Sequence, residues 1–196
     1  MKRLFITSII VLSCVSAFAQ FEKGRILAGG SVSFSATTNK TKTDNATTTN
    51  DKTTSFDFGP RAGYFFIDNL AAGLGLDFST TSWKDDGSDN KETRNEFVIS
   101  PFVRYYLQPG IFFQGTYGIG PGNYKEKTGS TTTSTKYTAS NWSLGAGYAY
   151  FLNSNVAVEP FIGYGARSQK VKDPDYKNVD SSFFINIGFQ IYLDRK

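Results

Sequence analysis

Six charged side chains lie in segments built otherwise from alternating apolar and small polar residues. An isolated buried ion is costly, so such charges persist only when they are paired or hydrogen-bonded. Three acids and three bases allow two kinds of chemistry. One is a set of mutual salt bridges that plugs an interior, and the other is an ion path or ligand site. The six residues are Asp57, Arg61, Asp77, Arg104, Glu159 and Arg167.

Histidine is absent from the chain, and Cys14 is the only cysteine. Histidine is the most frequent general base, and histidine and cysteine bind zinc, so these mechanisms lack their usual residues. Two acidic segments do not have the spacing of a calcium loop, so we expect ordinary solvated acids there. These acids are Asp85, Asp86, Asp89 and Glu92 in one segment and Asp173 and Asp175 in the other. We therefore expect no enzyme activity, no cofactor and no metal.

The C-terminal segment indicates which elements position the six charges. Every second residue of 183–193 is Phe, Ile or Leu, and the opposite positions include Asn186, Gly188 and Gln190. Successive strand residues point to opposite faces, and about 9–11 residues of a tilted strand cross a bilayer. Seven further segments repeat the pattern, at about 25–36, 54–66, 70–81, 96–107, 111–121, 138–150 and 156–167.

None of the outward positions in these segments is charged, although a charge facing mid-bilayer would cost about 2–4 kcal/mol. The sequence therefore predicts an all-β fold, an eight-stranded antiparallel up-and-down transmembrane β-barrel. A lipocalin would have the opposite polarity, with apolar residues inside. Pro60, Pro101 and Pro160 fall within the strands, where proline is unusual, and a β-bulge is one explanation.

The predicted connections alternate in length. Segments 67–69, 108–110 and 152–155 are short turns rich in Asn, Pro or Gly, whereas 38–52, 82–95, 123–136 and 168–180 are long and polar. Barrels of this class have short periplasmic turns and long external loops. We expect both termini in the periplasm, and mobile Thr- and Asn-rich loops at 37–50 and 130–135.

The chain begins like an exported protein. A basic start, an apolar stretch and Ala17-Phe18-Ala19 predict a cleavable signal peptide over 1–19, which leaves the barrel as residues 20–196. Lipidation at Cys14 is the alternative. The net charge of +4 does not indicate a nucleic-acid partner.

Two levels of the predicted barrel have distinct residues. Aromatic side chains are expected at both membrane interfaces. Arg61, Arg104 and Glu159 lie at similar distances from the short turns, and eight strands leave an interior just wide enough for side chains. The narrow interior favours a salt-bridged plug over an ion path or ligand site. The main interfacial aromatics are Tyr64, Tyr105, Tyr148, Tyr150 and Trp142.

Segments 58–65, 68–73, 99–106 and the last strand resemble those of small OmpA-barrel and OmpX-like outer-membrane proteins, most closely the outer-membrane β-barrel domain type common in Bacteroidetes-type Gram-negative bacteria. The resemblance implies insertion by the barrel-assembly machinery, with Phe189 and Tyr192 in the C-terminal signal, and a monomer in outer-membrane lipid and lipopolysaccharide. Our main hypothesis is a non-enzymatic outer-membrane protein that contributes to envelope integrity or surface interaction through its loops. The alternative is a narrow, porin-like channel or a transporter of small hydrophobic molecules.

Overall fold

The computed structural model describes residues 21–43, 46–107, 109–171 and 176–194. The predicted signal peptide and Cys14 therefore lie outside the described residues, as do Asp173 and Asp175. Within the described part, no helix is long and apolar enough to cross a membrane. The chain forms the strands β1 (Ile26–Thr43), β2 (Ala46–Ile67), β3 (Leu70–Asp85), β4 (Lys91–Leu107), β5 (Ile111–Thr128), β6 (Thr131–Tyr148), β7 (Tyr150–Phe151), β8 (Val156–Val171) and β9 (Tyr176–Leu193).

Antiparallel pairing joins these strands into a closed ring. Each of β1 to β6 pairs with its neighbour in sequence, β6 pairs with β8, β8 with β9, and β9 with β1. The two-residue strand β7 continues β6 beyond Ala149, whose backbone N–H is donated to the carbonyl of Gly110 instead of to the ladder. The predicted eight-stranded antiparallel barrel is thus confirmed, with its sixth strand interrupted once.

Alternation of residue type decides which side chains enter the barrel. From Glu96 to Leu107, β4 alternates between a buried inward side chain and a more exposed outward one. Four inward phenylalanines lie over glycines of neighbouring strands, as expected for aromatic rings in a narrow barrel. An added Cβ would come within 3.0 Å of a ring atom at each of these glycines, which pair Gly73 with Phe102, Gly147 with Phe112, Gly145 with Phe161, and Gly163 with Phe184.

The two ends of the barrel differ in their connections. At the short-turn end, the turns follow β2, β4 and β7, and Asn69 there has a φ of 65°. At the long-hairpin end, the strands extend well beyond the apolar outer band. The expectation of mobile loops at this end was wrong for the described residues. The β5–β6 ladder continues to Thr128 and Thr131, so most of the predicted loop is strand.

Cross-strand side chains explain why these polar extensions are ordered. Asn39 donates to Asp51 at 2.8 Å and Ser134 donates to Asn123 at 2.8 Å, in each case to a side-chain oxygen. Backbone pairing continues beneath these bonds, so the hairpin needs no apolar face to hold its shape. We call the paired strand extensions, residues 37–43, 46–53, 80–95, 122–138 and 168–171, the polar crown.

Pro60, Pro101 and Pro160, three of the four prolines within the described strands, interrupt the ladder without a bulge. Pro60 keeps its rung with Gly30 of β1, but β2–β3 pairing passes from Phe58 directly to Arg61 in unchanged register. Pro101 and Pro160 likewise each keep a rung with one neighbouring strand. The missing N–H therefore costs pairing on one side only, while the other side holds the strand in place.

The ladder between β1 and β9 ends well before its two strands do. Pairing joins 26–30 of β1 to 189–193 of β9 and stops there, although both strands continue towards the crown. Outward side chains beyond this point have few neighbours, since Val32 is 69% exposed and Ile185 is 77% exposed. We call this gap, bounded by residues 31–36 and 183–188, the seam.

Candidate functional site

The lumen near the short-turn end is closed by a buried ion pair. Arg104 of β4 donates through Nη1 to Oε2 of Glu159 on β8 at 2.7 Å, and both side chains are 3% exposed. Arg104 also donates through Nε to the side-chain oxygen Oε1 of Gln114 at 2.9 Å. The Tyr192 hydroxyl donates to the second carboxylate oxygen of Glu159. We call this network the lower clamp.

Aromatic rings seal the lower clamp on its short-turn side. Phe21 is 2% exposed and stacks on Tyr106, with ring centroids 4.1 Å apart. The Arg104 guanidinium lies 4.1 Å from the centroid of the Phe112 ring. Other members of this core cluster are Leu27, Phe65, Ala71, Ala149 and Ala157. The charges are therefore covered by apolar groups on one side, which strengthens their mutual attraction.

A second ion pair crosses the lumen near the crown. Arg167 of β8 is within salt-bridge distance of Glu96 on β4, and the side chain of Glu96 is 5% exposed. Tyr137 and Gln169 both donate to the other oxygen of Glu96, the latter at 2.8 Å. Tyr137 lies beyond the apolar outer band, and burial together with the hydrogen bond to Glu96 raises the pKa of its hydroxyl. We call this group the upper clamp.

The two clamps connect the same pair of strands. Glu96 and Arg104 belong to β4, and Glu159 and Arg167 belong to β8, two strands that are not neighbours in the ring. The acid is on β4 in the upper clamp and on β8 in the lower clamp. The ring is therefore tied across its interior at two levels along one direction.

The remaining predicted charges do not join the lower clamp. Arg61, expected there with Arg104 and Glu159, has no carboxylate within 4 Å of its guanidinium nitrogens among the described residues. Asp77 instead accepts a hydrogen bond from Ser100 on the adjacent strand. Asp57 faces Ser33 across the β1–β2 ladder and is exposed. The expected triple cluster was therefore wrong in one member, because Arg61 lies above the pair.

Between the clamps lies a cavity of about 500 Å³. Arg61, Asp77 and Gln190 line it, together with residues on both borders of the seam, including Ser31 and Asn186. Because the β1–β9 ladder ends at Gly30, the cavity borders the seam.

Several residues of the site were not predicted from the sequence. Glu96 is the first residue of the predicted strand 96–107 but was not counted among the inward charges. Tyr106 was expected only as a large inward residue, and Tyr192 was named only for the C-terminal signal. A signal was available for Glu96, since it continues the inward alternation of β4. Phe21 carries no such signal, because it precedes the first strand. The five predicted interfacial aromatics all point outward, and each is at least 38% exposed.

The described residues contain no group of three or more His, Cys, Asp or Glu side chains placed to hold a metal ion. Asp86, in the acidic segment considered for calcium, pairs with Lys52 at 2.9 Å. Tyr192, assigned to the C-terminal signal, is fully buried and faces the lumen, whereas Phe189 faces outward.

A family model of the outer membrane protein β-barrel domain matches residues 68–196. The chain belongs to this family. Its place is therefore the outer membrane, as the apolar outer band and inward charges already indicated. No curated protein matches the chain in a sequence search.

Solved structures share the fold at low sequence identity. The translocator domain of the autotransporter NalP from Neisseria meningitidis has a TM-score of 0.51 at 9% identity, and the match covers 96% of this chain and 69% of that one. Ail, the attachment invasion locus protein of Yersinia pestis, has a TM-score of 0.48 at 13% identity, with 87% and 99% covered. OprG from Pseudomonas aeruginosa has a TM-score of 0.43 at 15% identity, with 89% and 98% covered. These likenesses describe the architecture alone.

Proposed function

We propose that this protein is a non-enzymatic, monomeric outer-membrane barrel that contributes to envelope integrity or surface interaction through its polar crown. The observation that carries this proposal is the lower clamp. A buried ion pair above an aromatic floor fills the short-turn end of the narrow lumen with side chains. Because the lumen is closed, the protein acts through the outer surfaces of the barrel.

The crown suits surface contact because it is ordered before any partner binds. A partner that meets a preformed surface does not need to order it, so less conformational entropy is lost on binding. The crown's long hairpins face outside the cell, and the short turns face the periplasm. The barrel is embedded in outer-membrane lipid and lipopolysaccharide after insertion by the barrel-assembly machinery.

Planar-bilayer conductance tests the closed lumen. The wild-type barrel is expected to give no steady conductance, whereas Glu159→Ala is expected to admit water and ions intermittently. Glu126→Ala, in the exposed part of β5, is the matched control and should behave as wild type. A large, steady wild-type conductance that Glu159→Ala leaves unchanged would instead support the second candidate, a narrow channel, which the cavity beside the seam favours.

A trimmed variant separates the two roles within the main proposal. Tyr124 lies opposite Thr135, so replacing residues 125–134 by an Asn-Gly turn keeps the register of β5 and β6. Loss of whole-cell adhesion with unchanged detergent resistance would indicate surface interaction. Unchanged adhesion in the trimmed strain, with detergent sensitivity only when the whole barrel is deleted, would indicate envelope integrity. No effect of either deletion would contradict the proposal.

A further inference from the structure

Two polar atoms at the base of the seam lack hydrogen-bond partners among the described residues. They are Nε of Arg61 and the side-chain oxygen of Gln190, and both are buried. A buried donor or acceptor without a partner is destabilising, and native structures contain few of them. One donor and one acceptor therefore belong to side chains that line the same cavity, and no group of the described residues satisfies them.

The fold brings these two atoms together at the last rungs before the seam. Gly29 of β1 lies opposite Arg61 on one side and opposite Gln190 on the other. The Gln190 amide occupies the space that a side chain at position 29 would fill, since an added Cβ there would lie 2.4 Å from its oxygen. The glycine thus leaves Arg61 and Gln190 as near neighbours across one residue.

The acids closest to Arg61 are already engaged. Glu159 accepts from Arg104 and Tyr192, and Asp77 accepts from Ser100. Arg61 therefore keeps its five-donor guanidinium directed at the cavity, which suits a carboxylate or phosphate group.

The seam connects this position with the lipid. Its outer border carries apolar side chains that are among the most exposed of the described residues, namely Val32, Phe34, Phe183, Ile185 and Ile187. At the same height, the unpaired backbone edges of β1 and β9 meet hydrocarbon, where unsatisfied N–H and C=O groups are costly. An acyl chain lying along these side chains would hold its polar head at the level of the cavity.

We propose that the cavity binds the head group of a single-chain anionic amphiphile, a carboxylate or phosphate on one acyl chain, which enters from the bilayer through the seam. Arg61 binds the anionic oxygens, and the side-chain oxygen of Gln190 accepts a hydrogen bond from a hydroxyl of the same head group, such as the remaining P–OH of a singly ionised phosphate. This site is independent of the crown and of the surface role proposed above.

The two seam strands are also suited to closing. Continuing the register of Gly30 with Phe189 would place Ser33 opposite Asn186, both inward, and Val32 opposite Ile187, both outward. The same register would reach Thr43 opposite Tyr176, where the two strands end. A disulfide between positions 33 and 186 would therefore lock the seam shut without disturbing the face assignment.

Binding of radiolabelled dodecanoate to the purified barrel in phosphatidylcholine nanodiscs tests the site. Arg61→Gln is expected to weaken binding at least about ten-fold, which corresponds to about 1.4 kcal/mol. Gln190→Leu is expected to leave dodecanoate binding nearly unchanged, because a carboxylate has no donor, and to weaken the binding of dodecyl phosphate by a smaller factor than Arg61→Gln does. Arg94→Gln removes an arginine outside the cavity and should bind as wild type. Gel mobility of the unheated protein verifies that each variant is folded, and wild-type affinity in a folded Arg61→Gln barrel would overturn the site.

The route is tested with Ser33→Cys combined with Asn186→Cys in a Cys14→Ser background. Oxidation should abolish dodecanoate binding and reduction should restore it. Ser33→Cys with Asn178→Cys is out of register and lies outside the cavity, so it should neither cross-link nor change binding. Unchanged binding in the oxidised pair would overturn entry through the seam. Dodecyl phosphate should compete with dodecanoate whereas acetate and inorganic phosphate should not, and equal competition by the short anions would show that the ligand comes from water and would overturn the membrane source.

Discussion

The barrel wall is held together in different ways at the clamps and at the seam. On the clamped side, long inward side chains of β4 reach across the lumen to β8 and tie the ring at two levels. At the seam, the inward residues of β1 are Gly29, Ser31 and Ser33, which are too short to reach across. Backbone pairing joins β1 to β9 over five rungs and then stops, although both strands continue.

The point at which that ladder stops has a local cause. Gly30 has a φ of 153°, outside the range that residues with a Cβ usually adopt, and an added Cβ would lie 2.5 Å from the carbonyl oxygen of Gly59. This φ departs from ordinary strand geometry, and we call the position the bend, although β1 stays paired with β2 there. In a narrow barrel, the size of the inward side chains therefore decides where the wall is tied, and glycine conformation decides where it opens.

The largest expected effect is the loss of the lower clamp. Glu159→Ala leaves Arg104 buried and without its carboxylate, so we expect the free energy of unfolding to fall by about 3–5 kcal/mol. Urea unfolding in liposomes, followed by gel mobility, measures this loss. Glu126→Ala should change stability by much less, and a loss below 1 kcal/mol at Glu159, roughly the value of an exposed pair, would show that the clamp does not hold the ring.

The next effect compares the paired wall with the seam. Leu74→Arg puts a charge on the outer face at mid-bilayer, and we expect it to cost about 2–4 kcal/mol. Ile187→Arg should cost less, because its long side chain can pass through the seam to the polar cavity. Ser130→Arg, in the crown turn, should cost almost nothing. Equal costs at Leu74 and Ile187, measured by the same unfolding assay, would show that the seam is closed in the membrane.

A smaller effect is expected at the bend itself. Gly30→Ala introduces a Cβ against the backbone of β2 and should cost about 1–3 kcal/mol. Gly75→Ala is the control, since a Cβ there meets its nearest atom at 3.5 Å, an ordinary contact. Hydrogen exchange should show changed protection in residues 26–36 of Gly30→Ala alone. Wild-type protection in that variant would remove Gly30 as the cause of the seam.

The smallest effect belongs to the upper clamp. Tyr137→Phe removes one hydrogen bond to Glu96 and should cost about 1 kcal/mol, because Arg167 is 39% exposed and water replaces part of the interaction. Since folding raises the pKa of Tyr137, its contribution is complete below the ordinary tyrosine pKa and is lost as pH rises through the raised value. Urea unfolding of both proteins along a pH series measures this, and a stability difference that persists at high pH would contradict the assignment.

The sequence by itself determined the barrel, the strand order and which face of each strand meets lipid. Alternation has a period of two, so a one-residue error would put charges such as Arg104 into the bilayer, and this fixes the register strongly. Asn69 and Gly110 are residue types that favour tight turns, so the sequence also located the short connections. The sequence did not reveal the crown, because its segments are too polar to predict as strands. Ladder pairing and cross-strand bonds hold them in strand conformation.

Only the tertiary structure decided how the inward charges pair. Alternation shows which charged side chains point inward. Which partner each of them meets across the lumen depends on the strand tilt and on the height of each residue in the closed ring. That geometry joined Arg104 to Glu159 and Arg167 to Glu96, and it left Arg61 at the cavity. The seam was equally invisible in the sequence, because β1 and β9 carry matching alternation along their full length and differ from the other pairs only in where the backbone bends.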